Sequence, residues 1–427
     1  MKKNLLRATL VAGLSMFAVT ATVTTQPAYA ADEKPHISKS ISSLMSDAQK
    51  ALKDKDYATA IAKCKQAQAT SDLSDYDHFM IDYFLGFAYF NSGDRASAGA
   101  AYADAAKIPG MPADDHRSVV HNALLLAADQ NNYPRVVEVG QVADKDNTLD
   151  STTAGQLAIA YYNLKDGANA AVYAQKSIDF ATAAGKMPER AAYEVLVFTQ
   201  YDKKDMTAVT KTFETMCNYY GNQDDWGHLL DLELAALSTA TKTYREIAAL
   251  DIYRLRLLTN ATTSGDDYTT MADVATSVRS WGDAKQALEA GVAQGKLQES
   301  KVGAQLKKVS ADAARDEPIM AQAEAAAAKQ KSVDEDLSVG EAYYGYGRYA
   351  DAARVAQRAI GKGGPRVAEA RLLLGMSQVR MGDDATAAQT LASVDVDPAM
   401  DRVAHIWSLY ATRKYGKTAA APAAGGH

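Results

Sequence analysis

The chain has 427 residues, 47% of them hydrophobic and 23% charged, with 46 basic and 52 acidic side chains and a formal net charge of −6. That length exceeds what one ordinary core organises, so the chain holds several domains or an array of repeats, and its apolar fraction excludes a disordered protein. The acidic balance argues against nucleic acid or an anionic lipid surface as the partner, and no dense Lys/Arg run offsets it.

The first thirty residues read as a signal peptide. Lys2, Lys3 and Arg7 make a basic start. Leu10 to Val23 is a mostly apolar run, short for a membrane span, and Ala28-Tyr29-Ala30 has the small-x-small pattern of a signal peptidase site. No Cys stands at the cleavage point to carry a lipid. An uncleaved anchor is the competing reading. Cleavage after Ala30 leaves 43 basic against 52 acidic residues, a balance of −9. No later stretch approaches the roughly 20 apolar residues of a membrane helix. The mature chain, 31–427, is therefore expected to be soluble outside the cytoplasm, periplasmic or secreted, with no membrane anchor.

Beyond the leader the main signal is an internal repeat. From Phe79 onward stand Leu85-Gly86, Tyr89, Gly93, Ala98, Tyr102 and Ala105. The same spacings return after Val333 as Val339-Gly340, Tyr343, Gly347, Ala352, Ala356 and Ala359. They return again after Ala368 as Leu374-Gly375, Gly382, Ala387, Leu391 and Val394. Small residues at the Gly86 and Ala98 positions let two antiparallel helices approach closely, and a large residue at the Tyr89 position fills the space between them. Glycine at the Gly93 position suits the turn from one helix to the next. Asp56-Tyr57, Asp94-Arg95, Arg348-Tyr349 and Asp383-Asp384 fall where each second helix begins, where acids suit a helix N-terminus.

These residues resemble the tetratricopeptide repeat, a helix-turn-helix unit of about 34 residues. The resemblance covers roughly three-quarters of the mature chain. It implies an all-α fold, an α-solenoid superhelix of helix-turn-helix repeats, held together by contacts between neighbouring repeats. With its leader, the chain is similar as a whole to exported bacterial proteins of this type. Weaker copies start near Ile41, Arg117, Ser151 and Arg190, at spacings of about 34 to 39 residues, so loops such as Asp72 to Asp75 and Pro109 to Pro112 separate them. The expected organisation is a repeat array over 31–221, a divergent helical segment over 222–331, repeats and a capping helix over 332–415, and a disordered tail over 416–427. In the divergent segment Asp224 to Asn260 reads as two apolar-faced helices, Thr262 to Tyr268 as a loop, Tyr268 to Gln294 as a degenerate repeat and Leu297 to Lys331 as Ala-rich helix. Asp401 to Tyr415 is the expected cap. Cys64 and Cys217 would lie several repeats apart in such an array, so both read as buried free thiols.

In this family the first helices of successive repeats line a concave groove. Carried onto this chain, the groove positions are Tyr83, Phe87, Phe90 and Asn91 in the second repeat, and His121, Leu125 and Asp129 in the third. The fourth contributes Ile159, Tyr162 and Asn163, and the fifth Glu194, Phe198 and Tyr201. Aromatic side chains bury large areas at low entropic cost, and Asn can bond an extended backbone, so the groove would take a peptide or helix of a partner protein. Aromatics at helical spacing also serve as core, and a register shift of one residue would turn Phe87 or Phe90 inward. Some relatives clamp a C-terminal carboxylate with Lys and Asn. Met45, Gln49, Tyr83 and Phe87 stand at those positions here, so that mode is not expected.

Catalytic signatures are missing: there is no H-E-x-x-H, C-x-x-C, phosphate-binding glycine loop or G-x-S-x-G. The expected function is a non-catalytic protein-interaction scaffold, with no cofactor and no metal. His116 and His121, five apart, read as surface or groove residues, and Tyr344-Gly345-Tyr346-Gly347 as a turn. The alternative is a glycan-acting envelope enzyme, or its regulatory subunit, using Asp224, Asp225, Asp231 and Glu233 beside Trp226 and His228. A buried, unpaired carboxylate in a cleft would favour it.

Overall fold

The computed structural model describes residues 35–239, 242–395 and 397–413. The leader and the 416–427 tail lie outside the described residues. Among the described residues every regular element is a helix. The helices pack in consecutive pairs, the all-α solenoid arrangement of tetratricopeptide-like repeats. They fall into two compact units, 1–205 and 206–427.

The first unit comprises α1 (Ser42–Lys53), α2 (Tyr57–Gln68), α3 (Asp75–Ser92), α4 (Arg95–Ala106), α5 (Ala113–Asp129), α6 (Tyr133–Lys145), α7 (Ser151–Asn163), α8 (Gly167–Ala183) and α9 (Arg190–Asp202). Each helix packs on the next. The turns inside the pairs share one device. A residue with positive φ ends the first helix: Lys55 at 59°, Gly93 at 92°, Asn131 at 54° and Lys165 at 68°. The next acidic or amide residue, Asp56, Asp94, Asn132 or Asp166, then accepts a hydrogen bond from the backbone N–H three residues on and starts the second helix. The left-handed turn is thus kept where the glycine is lost, which explains why these copies look weak in sequence. Lysine and asparagine take up a conformation that only glycine adopts without steric cost.

Packing within a pair depends on small residues. A Cβ on Gly86 would stand 2.7 Å from the ring of Tyr102, which is fully buried. The core between α1, α2 and α3 gathers Ile41, Met45, Ala48, Cys64, Ala67, Ile81 and Leu85. First helices also meet across repeats: α1 packs on α3, α5 on α7 and α7 on α9.

The second unit comprises α10 (Met206–Tyr219), α11 (Gln223–Ala236), α12 (Lys242–Leu258), α13 (Gly265–Ser277), α14 (Trp281–Ala293), α15 (Glu299–Asp316), α16 (Met320–Ala327), α17 (Asp334–Gly345), α18 (Tyr349–Lys362), α19 (Val367–Arg380), α20 (Asp384–Leu391) and α21 (Pro398–Thr412). The loop expected over Thr262 to Tyr268 is shorter, because Ser264 and Asp267 form a reciprocal capping box that starts α13 at Gly265. The Ala-rich helix expected over Leu297 to Lys331 breaks into α15, a short 3-10 turn at Glu317–Ile319 and α16, with Pro318 at the break.

The last helix does more than cap. It starts at Pro398 on an Asp397 N-cap and covers α19 and α20, and it also packs on α10 and α12. Trp407, fully buried, donates its indole N–H to the backbone oxygen of Asp251 at 3.1 Å. The ring of Tyr410 meets Trp226 edge-on at 5.8 Å. The end of this unit therefore returns to its beginning. Its interior holds Arg254, 2% exposed, paired with Asp251 at 2.7 Å, Asp283 at 2.7 Å and Glu341 at 2.7 Å, with the Tyr344 ring 4.4 Å from its guanidinium carbon. These bonds tie α12 to α14 and α17, joining helices that the sequence divides at 331/332. Gly282 and Gly345 allow the approach, since a Cβ on Gly282 would stand 2.5 Å from the Gly345 backbone.

Candidate partner-binding face

The expected groove residues all lie in the first unit, on α3, α5, α7 and α9, the first helices of their pairs. Tyr83, Phe87 and Phe90 are half-buried on α3, and Asn91 is exposed at its end. Tyr83 packs against Phe79, Phe84 and Tyr102, with ring centroids 6.2 to 6.3 Å apart. Phe90 lies under the guanidinium of Arg95 at 5.5 Å. That arginine also holds Asp129 of α5 at 2.6 Å.

On α5, His121 and Leu125 are partly exposed, and the His121 Nδ1 stands 3.6 Å from the carboxylate of Asp150, the N-cap of α7. On α7 and α9, Tyr162 and Phe198 stack with centroids 5.5 Å apart, and Lys165 lies 5.7 Å above Tyr162. Glu194 accepts a hydrogen bond from Arg190 at 2.9 Å, and Tyr201 is 40% exposed. Two helices that are neighbours in space but not in sequence thus contribute to one aromatic surface.

Four residues sit differently from the expectation. Ile159 is 6% exposed and packs inside rather than on the surface. Asn91 and Asn163 each donate their side-chain N–H to the carbonyl four residues earlier, Phe87 O and Ile159 O, both at 2.8 Å. Each amide so places one of its two N–H donors on its own helix end, where the last carbonyls lack partners. His116, expected at the surface, is buried: its Nε2 is 3.0 Å from Ala106 O, and its Nδ1 is 3.5 Å from Asp146.

Tyr76 and Asp115 escaped the sequence reading. Both are half-buried. Burial, and then the charge of Asp115, push up the pKa of the Tyr76 phenol. Burial does the same at Tyr83, with a hydrogen bond to Ser118 opposing it and the Asp115 charge adding to it. A signal was available in the sequence: Tyr76 stands seven residues before Tyr83 and so shares its face of α3.

Two of the four carboxylates of the enzyme alternative are held in ion pairs. Glu233 is buried and bonded to Arg402, which also holds Glu214 at 2.8 Å. Asp231, on the surface, pairs with Arg256 at 2.5 Å. Asp225 is buried at the start of α11, its backbone N–H donating to Asn222, and Asp224 is exposed in the same turn. None is the unpaired carboxylate in a cleft which that reading required. Cys64 and Cys217 are buried free thiols, and burial pushes the Cys64 thiol up to about 12. Among the described residues no group of three or more His, Cys, Asp or Glu side chains could hold a metal ion, and no helix is long and apolar enough to cross a membrane.

No protein-family model matches the chain, and no curated protein does. Solved structures do. The structure of Naa15/Naa10 bound to HypK-THB is 14% identical over 82% of this chain and 68% of that one, with a TM-score of 0.35. The crystal structure of the APC/C hetero-tetramer Cut9-Hcn1 is 11% identical over 88% of this chain and 74% of that one, with a TM-score of 0.26. At these scores the likeness adds nothing to what the packing of consecutive helix pairs already establishes about the fold.

Proposed function

We propose that this protein is a non-catalytic interaction scaffold, exported to the periplasm, whose first unit binds a peptide or helix of a partner protein of the cell envelope. The observation that carries the reading is the half-exposed aromatic surface of Tyr83, Phe87, Phe90, Tyr162 and Phe198, laid out on the first helices of successive pairs. Half-exposed rings on rigid helices lose little entropy on burial and gain large apolar contact, so they suit recognition without chemistry. Export rests on the leader alone.

The test is capture of tagged chain from crosslinked envelope extract, beside a Tyr83→Ala/Phe87→Ala/Phe90→Ala variant whose circular dichroism is intact. A discrete partner kept by the wild type and lost by the variant is expected. Equal capture by both would defeat the assignment. Cell fractionation tests the export: a form lacking the first thirty residues should appear in the periplasmic fraction.

A further inference from the structure

In the second unit one guanidinium faces three carboxylates. Arg254 of α12 donates through Nη1 to Asp251 Oδ1 on its own helix and to Glu341 Oε2 on α17, both at 2.7 Å. Through Nη2 and Nε it donates to Asp283 Oδ2 on α14, at 2.7 and 3.2 Å. Among the described residues no other basic side chain pairs with any of the three. Arg380 comes no nearer than through two rings, 4.5 Å from Tyr349, which meets Tyr344 edge-on. The charged groups that α11, α13 and α21 bring to α12 are held by other partners. Asp231 and Asp267 pair with Arg256, and Glu233 with Arg402, which together with His405 also holds Glu214.

The three carboxylates are not equivalent. Asp283 Oδ2 accepts a third bond, from Ser280 Oγ at 2.6 Å. The Glu341 side chain is 31% exposed, so water can solvate it. Asp251 is 1% exposed, and its Oδ2 is buried with no hydrogen-bond partner. An ionised oxygen in that position costs far more than a neutral one. The geometry therefore singles out Asp251 as the acid that keeps its proton. Its pKa is accordingly raised to about 8, first by burial, with Arg254 opposing and the charges of Glu341 and Asp283 adding. The same residue fastens the last helix, since its backbone oxygen accepts the Trp407 indole N–H.

We propose that Arg254 and its three carboxylates form a proton-operated latch: with Asp251 neutral the second unit is closed, and loss of that proton loosens α12 from α21. This is independent of the partner-binding reading, which concerns the first unit. The sign follows from linkage. The folded value lies above the unfolded one, so the stability contributed is whole below about pH 4 and is lost as pH rises through about 8.

Tryptophan fluorescence reads this unit alone, because Trp226, Trp281 and Trp407 all lie in it. In urea denaturation, the wild-type unfolding constant should rise, relative to Asp251→Asn, about tenfold per pH unit between about pH 5 and 8, then level off. Asp251→Asn keeps the side-chain shape and the Oδ1 acceptor. Should it fail to fold, Glu341→Gln serves instead: it removes a charge facing Asp251, so its slope should end at lower pH than that of the wild type. In native buffer, acrylamide quenching of the fully buried Trp226 and Trp407 should rise in the wild type above about pH 8 and stay low in Asp251→Asn. Parallel pH profiles for wild type and Asp251→Asn, or for wild type and Glu341→Gln, would overturn the latch. So would a pH slope without added quenching, because the charge would then form without movement.

Discussion

Adding one methyl group at Gly86 tests whether the repeat signature marks physical contact. The new Cβ would stand 2.7 Å from Tyr102 Cδ1 and 2.8 Å from its Cγ and Cε1. Carbon atoms prefer about 3.5–4.0 Å, so something must shift by most of an ångström. Tyr102 cannot yield easily, being fully buried with its ring packed on Tyr83. Overpacking of this kind costs about 1–3 kcal/mol. With three ring atoms in conflict at once the upper part of that range applies. Alanine gains about 1 kcal/mol over glycine inside a helix, so Gly86→Ala should be destabilised by about 1–2 kcal/mol net. Gly99→Ala, in α4 of the same unit, is the control. Its Cβ would meet Gln130 Nε2 and Leu126 Cβ at 3.5 Å, an ordinary contact, so the helical gain of about 1 kcal/mol should survive. Hydrogen exchange of the α3 and α4 amides, with urea denaturation followed by circular dichroism, measures both in one unit. Equal stability of the two variants would refute the reasoning, because propensity alone predicts the same gain for each.

Trp407→Ala should cost the second unit about 3–5 kcal/mol, since it empties a fully buried site and removes the bond to Asp251 that brings α21 back to α12; limited proteolysis and urea midpoints should both register it. Burial, then Asp104, raise the Asp82 carboxyl to about 6, with His78 opposing. Because the folded value lies above the unfolded one, the fold prefers the protonated form, and stability falls as pH rises from about 4 through 6. Asp82→Asn should therefore stabilise at pH 7 by about 1–2 kcal/mol, after allowance for partial exposure, with the gain vanishing near pH 4 in a pH series of denaturation midpoints. Lys55→Gly should raise stability by up to about 1 kcal/mol, because φ at that position is 59° and the left-handed region costs a side chain energy; an unchanged or lower urea midpoint would count against it.

Much of the architecture was legible in the chain because a repeat writes its contacts into local spacing. Gly86 and Gly375 occupy fixed offsets since their close approaches, to Tyr102 and to Leu391, lie between helices adjacent in sequence. The acids that open second helices were legible for the same reason, as a cap acts over three residues. Legibility faded where the device stayed and the residue changed, as at Lys55, Asn131 and Lys165, because backbone geometry tolerates several side chains at a modest cost.

What the sequence by itself determined is the helical repeat and the likeness of its units, both products of short-range periodicity. The tertiary structure alone decided which side chains each face exposes. Ile159 turned inward, while the rings of Tyr162 and Phe198 stacked across α7 and α9. It alone decided that α21 returns to α12, through Trp407 and Asp251, residues 156 apart, and that Arg254 reaches Glu341, 87 residues away. Such contacts carry no periodic trace. They depend on the small rotation between stacked pairs, which accumulates along the array and is set by packing across every interface rather than by any one segment.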